Sequence, residues 1–146
     1  MQLTILPLEE TIDAEPGETM LEACLRHGIW LPYACSHGRC GTCKVAVTEG
    51  EIDHGPASSF ALMDFERADG KALACCATLK SDTTIEADVE DDEDAAHHPI
   101  REFTGRVLEI DMLTPTIKRI VLSAPDDFLF QAGQYVHLDI PGVGPR

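Results

Sequence analysis

Basic residues and long apolar runs are both scarce in this sequence, and each scarcity excludes a class of function. Lys and Arg account for 11 of the 146 residues, against 26 for Asp and Glu, so the formal net charge is −15. Nucleic acid is not an expected partner, because phosphate binding requires a basic surface. No apolar run approaches the length of about 18 residues that a membrane span needs, so we expect no membrane association.

The opening segment gives no sign of a signal peptide, since residues 1–6 lead directly into polar sequence. We therefore expect a cytoplasmic protein with reduced thiols, which disfavours disulfides among its six cysteines. The acidic residues are concentrated in residues 1–98, where 20 acidic and 6 basic side chains give a net charge of −14. That surface is suited to docking against a basic patch on a protein partner.

The spacing of the cysteines is the most informative pattern. Cys35, Cys40 and Cys43 follow the pattern Cys-x4-Cys-x2-Cys, and Cys75 follows after 31 intervening residues. Plant-type [2Fe–2S] ferredoxins have this spacing, and only cysteine supplies the soft thiolate ligands that such a cluster needs. The sequence therefore predicts a one-electron carrier. Spacing alone does not choose between Cys75 and its neighbour Cys76 as the fourth ligand.

Two other uses of these cysteines fit less well. Structural zinc normally uses a second close pair of cysteines, which the adjacent Cys75 and Cys76 do not match. A thioredoxin-like pair formed by Cys40 and Cys43 would be followed by a helix, whereas residues 44–49 alternate as a strand does. Both alternatives are therefore disfavoured.

The residues between and beside the cysteines suit an anionic cluster. Gly38 and Gly41 expose backbone N–H groups that can point at the sulfurs, and such hydrogen bonds help to set a reduction potential. His37, Arg39 and Lys44 flank the ligands and are candidates for offsetting negative charge or contacting a partner. The alternative is that they are ordinary exposed loop residues.

The apolar pattern predicts an α+β fold for the first 90 residues. The predicted elements are a hairpin at 3–13, a helix at 18–27, a strand at 44–49, a short helix at 60–67 and a strand at 83–87. Gly28 is placed to end the first helix. Cys24, on that helix, is expected to be an inert buried thiol. Together the elements describe a ubiquitin-like, β-grasp roll.

The character of the sequence changes after this domain. Residues 91–99 are expected to be an acidic linker, in which His97 and His98 are exposed. Residues 100–146 contain three strand-like segments, at 104–112, 116–123 and 134–140. Because three strands make a poor independent domain, we expect these residues to be part of a second, larger domain.

The sequence closely resembles the reductase component of multicomponent phenol hydroxylases, from about residue 2 to Arg146. The most specific stretches are residues 30–38 (WLPYACSHG), 60–67 (FALMDFER) and 73–77 (LACCA). In that family the cysteine of the Leu-x-Cys element is the fourth cluster ligand, and this position is Cys75 here. Cys76 is then expected to point away or to pack.

The resemblance implies a larger flavoprotein. That family joins a plant-type ferredoxin domain, here residues 1–90, to a module that binds FAD and NADH. Residues 100–146 resemble the start of its flavin-binding β-barrel, and Arg146 is a candidate first residue of an element that contacts FAD. In the intact enzyme, hydride passes from NADH to FAD, and electrons pass singly through the cluster to a di-iron oxygenase partner.

Because the sequence shows no nicotinamide-binding segment, we expect the 146-residue chain to be inactive with NADH and to bind FAD weakly or not at all. Two alternatives remain open. One is a stand-alone ferredoxin carrier, although such a protein would have no reason to continue past about Asp88. The other is the reductase of a different aromatic or alkane oxygenase, since the oxygenase chooses the substrate.

Overall fold

The structure is a computed structural model that describes residues 1–89, 100–130, 134, 136 and 138–145. The chain divides into two compact units, Met1–Ile100 and Arg101–Arg146. In chain order, the elements of the first unit are β1 (Gln2–Leu6), β2 (Glu10–Asp13), α1 (Met20–Arg26), β3 (Lys44–Glu49), β4 (Ile52–Asp53), α2 (Asp64–Ala68), β5 (Lys71–Leu73), β6 (Thr78–Leu79) and β7 (Thr83–Glu86).

The first unit is organised around a mixed sheet of five strands in the order β2-β1-β7-β3-β5. Strands β1 and β7 are parallel, whereas the other neighbouring pairs are antiparallel. Strands β4 and β6 form a separate antiparallel pair. A mixed sheet combined with helix α1 is the α+β arrangement of a ferredoxin-type β-grasp domain, so the predicted fold class is confirmed.

The core forms between the sheet and helix α1. Alternate residues of the strands point inward, and Leu3, Ile5 and Ile85 are completely buried. Helix α1 contributes its buried residues Met20, Leu21, Ala23, Cys24 and Leu25. Burial raises the pKa of the Cys24 thiol to about 12, so this cysteine is a packed, unreactive side chain as predicted.

Helix α1 lies within its predicted range because its ends carry strong local signals. The Thr19 hydroxyl accepts a hydrogen bond from the Glu22 backbone N–H, and the Glu22 carboxylate accepts one from the Thr19 N–H. This reciprocal capping box satisfies two backbone donors at the helix start. At the other end, Gly28 adopts a φ of 78°, a conformation that favours glycine.

The second helix begins four residues later than predicted, at Asp64 rather than Phe60. The carbonyl oxygen of Ser58 accepts the N–H groups of Ala61 and Leu62, so the preceding residues form a turn. That turn buries Leu62 and leaves Phe60 exposed. Helical spacing across residues 60–67 therefore predicted one helix where there is a turn and then a helix. The short strands β4, β5 and β6 were also not predicted.

The second unit contains strands β8 (Val107–Thr114), β9 (Ile117–Leu122), β10 (Asp139–Ile140) and β11 (Gly144–Pro145). Strands β8 and β9 form an antiparallel hairpin, which confirms the first two predicted strands with small shifts of their bounds. The predicted strand at 134–140 is only partly described, and its described strand residues are 139–140. Several large apolar side chains of the hairpin are exposed, including Leu108 at 66% and Met112 at 62%.

The predicted linker at 91–99 lies outside the described residues. Neither helix among the described residues has the length and apolar character that crossing a membrane requires.

Candidate metal centre

The loop that carries the first three cysteines turns back on itself through residues with positive φ. These are Ser36 at 54°, Gly38 at 68° and Gly41 at 79°. Gly38 is also required by contact, because a Cβ atom there would lie 2.5 Å from the Cys76 Sγ and 3.1 Å from the Ala57 Cα. The absence of a side chain at Gly38 therefore lets the loop close against the segment that carries Cys75 and Cys76.

The structure brings the four predicted ligands together as two pairs. Interaction with the main chain and side chain of Cys35 helps to lower the pKa of Cys40. The Cys43 and Cys75 thiols each shift the pKa of the other. Of the two adjacent cysteines, Cys75 therefore interacts more directly with Cys43, since Cys43 acts on the pKa of Cys76 only through its charge. Two thiol pairs are the donor set that a centre of two irons requires, with one pair for each iron.

Backbone and side-chain donors are directed at these sulfurs. The N–H groups of His37 and Arg39 lie 3.4 Å and 3.5 Å from the Cys35 Sγ. The Gly38 main chain also acts to lower the pKa of Cys75. Donors of this kind stabilise negative charge on sulfur, whether on a free thiolate or on a metal-bound one.

Cys40 has the most strongly activated thiol of the loop. Hydrogen bonds from the Thr42 hydroxyl, and then from the main chains of Thr42 and Cys35, lower the pKa of Cys40 to about 6. The residue is exposed, so the opening of the site to solvent lies at Cys40. Thr42 was missed in the sequence, although its position between Cys40 and Cys43 was a usable signal.

Cys43 and Cys75 are more enclosed than Cys40, and burial opposes their ionisation. Burial raises the pKa of Cys43 to about 12 and also raises that of Cys75. A metal ion reverses this preference, because binding replaces the thiol proton and neutralises the sulfur. Cys43 is buried while Cys75 is intermediate, so the second pair lies deeper than Cys40.

The segment that carries Cys75 is held in place by main-chain hydrogen bonds. The Ala74 N–H donates to the Cys43 carbonyl at 2.9 Å, which joins this segment directly to strand β3. From the other side, the first N–H groups of helix α1, those of Met20 and Leu21, donate to the carbonyls of Ala77 and Ala74. Helix α1 thus uses two of its unpaired N-terminal donors to fix the position of the fourth candidate ligand.

The charged residues beside the loop differ in what they contact. Lys44 Nζ lies 2.5 Å from the Glu66 Oε1, so its charge is paired with helix α2 and is not directed to the cysteines. His37 and Arg39 act on Cys35 through their backbone N–H groups. Their side chains are exposed, and a role of these side chains toward the cluster or a partner stays a prediction.

The cysteines fit a cluster better than a single ion. Within the described parts of the chain, no three Cys, His, Asp or Glu side chains converge closely enough to hold one metal ion. A tetrahedral zinc site needs four such donors around one point, whereas two separated thiol pairs suit a bridged pair of irons. The candidate flavin residue Arg146 lies outside the described residues.

Comparison with known proteins identifies the family of the first unit. Residues 3–80 match the family described as the 2Fe-2S iron-sulfur cluster binding domain. The chain belongs to this family. The cofactor of the domain is thus a [2Fe–2S] cluster, as the cysteine spacing predicts.

Two reductase components align with nearly the whole chain and not only with this domain. The reductase component DmpP of phenol 2-monooxygenase from Pseudomonas sp. strain CF600 is 52% identical over 141 residues, covering 97% of this chain and 40% of that protein. The phenol hydroxylase P5 protein of Acinetobacter pittii strain PHEA-2 is 51% identical over 142 residues, with the same coverage of 97% and 40%. The predicted resemblance to phenol hydroxylase reductase components is therefore confirmed.

A solved structure is also similar. The cytochrome P450 reductase GcoB of Amycolatopsis matches with a TM-score of 0.83 and 41% identity, covering 98% of this chain and 42% of that one. The chain thus spans about two fifths of the length of these relatives.

Proposed function

We propose that this chain holds a [2Fe–2S] cluster on Cys35, Cys40, Cys43 and Cys75. The observation that carries the proposal is the arrangement of these thiols as two pairs, Cys35 with Cys40 and Cys43 with Cys75. When bound, the cluster supplies one-electron transfer. The protein contributes backbone donors that stabilise the sulfurs, and it leaves Cys40 exposed where a partner can approach.

The ligand set is tested by single Cys→Ser variants of the purified 146-residue chain. We expect two irons and two sulfides per chain, and a rhombic electron paramagnetic resonance signal after reduction. Each of the four ligand variants should lose most of the iron, whereas Cys24→Ser, at a buried core position, should retain it. Tightly bound stoichiometric zinc, or full iron content in any of the four variants, would contradict the assignment.

We further propose that the whole protein is the NADH-dependent reductase component of a phenol hydroxylase system in the cytoplasm. It carries electrons from NADH through FAD and the cluster to the oxygenase component. The 52% identity to the Pseudomonas reductase supports this choice of oxygenase. A stand-alone ferredoxin is less well supported, because the similarity to the GcoB reductase extends over 98% of the chain.

The second unit supports the same proposal. The exposed apolar side chains of strands β8 and β9 are those of a hairpin that requires further strands for a core. We propose that residues 100–146 form the N-terminal part of a flavin-binding β-barrel, that residues 1–90 form the ferredoxin domain and that residues 91–99 link them. Arg146 is proposed as the first residue of the flavin-contacting element.

The proposal for the whole protein has a direct test with two arms. The coding sequence should continue beyond the codon for Arg146 into the rest of the flavin element and a nucleotide-binding domain. The 146-residue chain should not oxidise NADH, whereas the full product should reduce a phenol hydroxylase oxygenase with NADH. Stoichiometric FAD in the purified 146-residue chain, or NADH oxidation by it, would contradict the proposal that residues 1–146 contain only part of the flavin site and no nicotinamide site.

A further inference from the structure

Cys76 is left over when the four ligands are assigned, yet its thiol lies directly beside them. The Cys76 Sγ is 3.7 Å from the Cys75 Sγ, a hydrogen-bonding distance for sulfur. The residue is 6% exposed. On its other side lies Gly38, where a Cβ atom would come within 2.5 Å of the Cys76 Sγ. The sulfur is thus enclosed between the cysteine loop and Cys75.

The main chain holds this position. The Cys76 N–H donates to the Leu73 carbonyl at 3.0 Å, and the neighbouring Ala77 N–H donates to the same carbonyl at 2.9 Å. The carbonyl of Ala77 in turn accepts the Met20 N–H of helix α1 at 2.9 Å. Cys76 is therefore fixed by the tight turn that positions Cys75, and its sulfur has little freedom to move away.

The chemistry of a neutral thiol beside an anionic sulfur follows from this geometry. An S–H group is a weak donor to a neutral acceptor, but a hydrogen bond strengthens when its acceptor carries charge. Reduction places additional negative charge on the cluster and its thiolates. A hydrogen bond to a ligand sulfur therefore stabilises the reduced form more than the oxidised form, which raises the reduction potential.

We propose that Cys76 is a positioning residue that donates its S–H group to the Cys75 sulfur and thereby raises the reduction potential of the cluster. This inference rests on the proposed ligand set, in which Cys75 and not Cys76 binds iron. It gives the adjacent cysteine pair a division of roles, with one thiolate as a ligand and one thiol as a hydrogen-bond donor.

The test compares Cys76→Ala, which removes the donor, with Cys76→Ser, which keeps an O–H donor. Redox titration of the loaded chain should show reduction about tenfold less favourable in Cys76→Ala, a potential lower by about 59 mV for one electron. Cys76→Ser should stay within about threefold of the unmodified chain, since its hydroxyl donates to the same sulfur. Cys24→Ala, which also removes a buried thiol, should leave the potential unchanged.

A spectroscopic measurement addresses the proton itself. Electron–nuclear double resonance of the reduced cluster in H2O and D2O should detect an exchangeable coupled proton that disappears in Cys76→Ala and is retained in Cys76→Ser. If Cys76→Ala does not fold, Cys76→Val supplies a variant without a donor that fills the volume.

The outcomes separate this inference from the proposed ligand set. Full iron content with equal potentials in Cys76→Ala and Cys76→Ser would overturn the role of Cys76 and leave the four ligands standing. Loss of iron from both Cys76 variants, together with retention in Cys75→Ser, would show that Cys76 is the ligand and would overturn both.

Discussion

Gly38 determines how closely the cysteine loop can approach the segment of the fourth ligand. Its φ is 68°, and its carbonyl accepts the Ser58 N–H at 2.9 Å. A side chain there would meet the Cys76 sulfur and the Ala57 backbone at once. Only glycine satisfies both the conformation and the contact.

Gly38→Ala should therefore destabilise the loaded chain by more than about 3 kcal/mol, because overpacking adds to backbone strain. It should also lower the iron content. The matched control is Gly28→Ala, since Gly28 has a φ of 78° but open space around its Cα, and this change should cost only about 1–2 kcal/mol. Urea unfolding measures the stability of each variant, and an iron assay measures its iron content. Equal losses of stability in Gly38→Ala and Gly28→Ala would contradict the claim that contact with Cys76 and Ala57 requires glycine at position 38.

Glu18 is a second residue whose environment predicts a measurable effect. Its carboxylate receives two hydrogen bonds from the Arg26 guanidinium, at 2.8 Å and 2.9 Å, and its side chain is 13% exposed. Hydrogen bonding with Arg26 is the main cause that holds the pKa of Glu18 below its ordinary value of 4.5. Because the pKa of Glu18 is lower in the folded state, Glu18 stabilises the fold at pH values above its unfolded pKa. This contribution is lost as the pH falls through the folded pKa.

Glu18→Gln should reduce the free energy of unfolding by about 1–2 kcal/mol at pH 7. The difference from the unmodified chain should stay constant down to pH 5 and shrink only below 4.5. Asp13→Asn is the control, because the Asp13 carboxylate lies 3.4 Å from the Arg26 guanidinium and the Asp13 side chain is 69% exposed. This change should alter stability by less than about 0.5 kcal/mol. A Glu18→Gln effect that already disappears at pH 5 would refute this account.

At the scale of elements, helix α1 links the capping signal in the sequence to the position of Cys75. The Thr19 cap orients the first turn, and the N–H groups of that turn donate to the carbonyls of Ala74 and Ala77. The helix start was predictable because its signals are local. The turn before helix α2 was not, because its hydrogen bonds to the Ser58 carbonyl compete with helical spacing and depend on the burial of Leu62.

Thr19→Ala should reduce stability by about 1 kcal/mol, the usual cost of losing such a cap. Because the same turn holds the Cys75 segment, we also expect faster loss of iron to a chelator. Thr11→Ala, on the exposed side of edge strand β2, should change stability by less than about 0.5 kcal/mol and leave iron release unchanged. Iron release that is unaltered by Thr19→Ala would contradict a role of the Thr19 cap in holding the Cys75 segment.

At the scale of the whole molecule, the dominant property is acidity. The net charge of −15 comes almost entirely from residues 1–98. A cluster domain of this charge is attracted over long distances to a basic surface, and salt screens that attraction over about 8 Å at physiological ionic strength.

Electron delivery from the chemically reduced chain to its proposed oxygenase partner should therefore slow as the salt concentration rises. Delivery to a small uncharged acceptor should change little and serves as the control. A rate of delivery to the oxygenase that does not depend on salt would exclude electrostatic docking.

The sequence by itself determined the type of cofactor, the first three candidate ligands, helix α1 and the acidity of the molecule. Each of these depends on residue type and short spacing, which act locally or through composition. The tertiary structure decided which member of the Cys75 and Cys76 pair interacts more directly with Cys43, and it paired Lys44 with Glu66. These outcomes depend on segments 22 and 32 positions apart in the sequence, whose approach is set by the sheet and by the space that Gly38 leaves open.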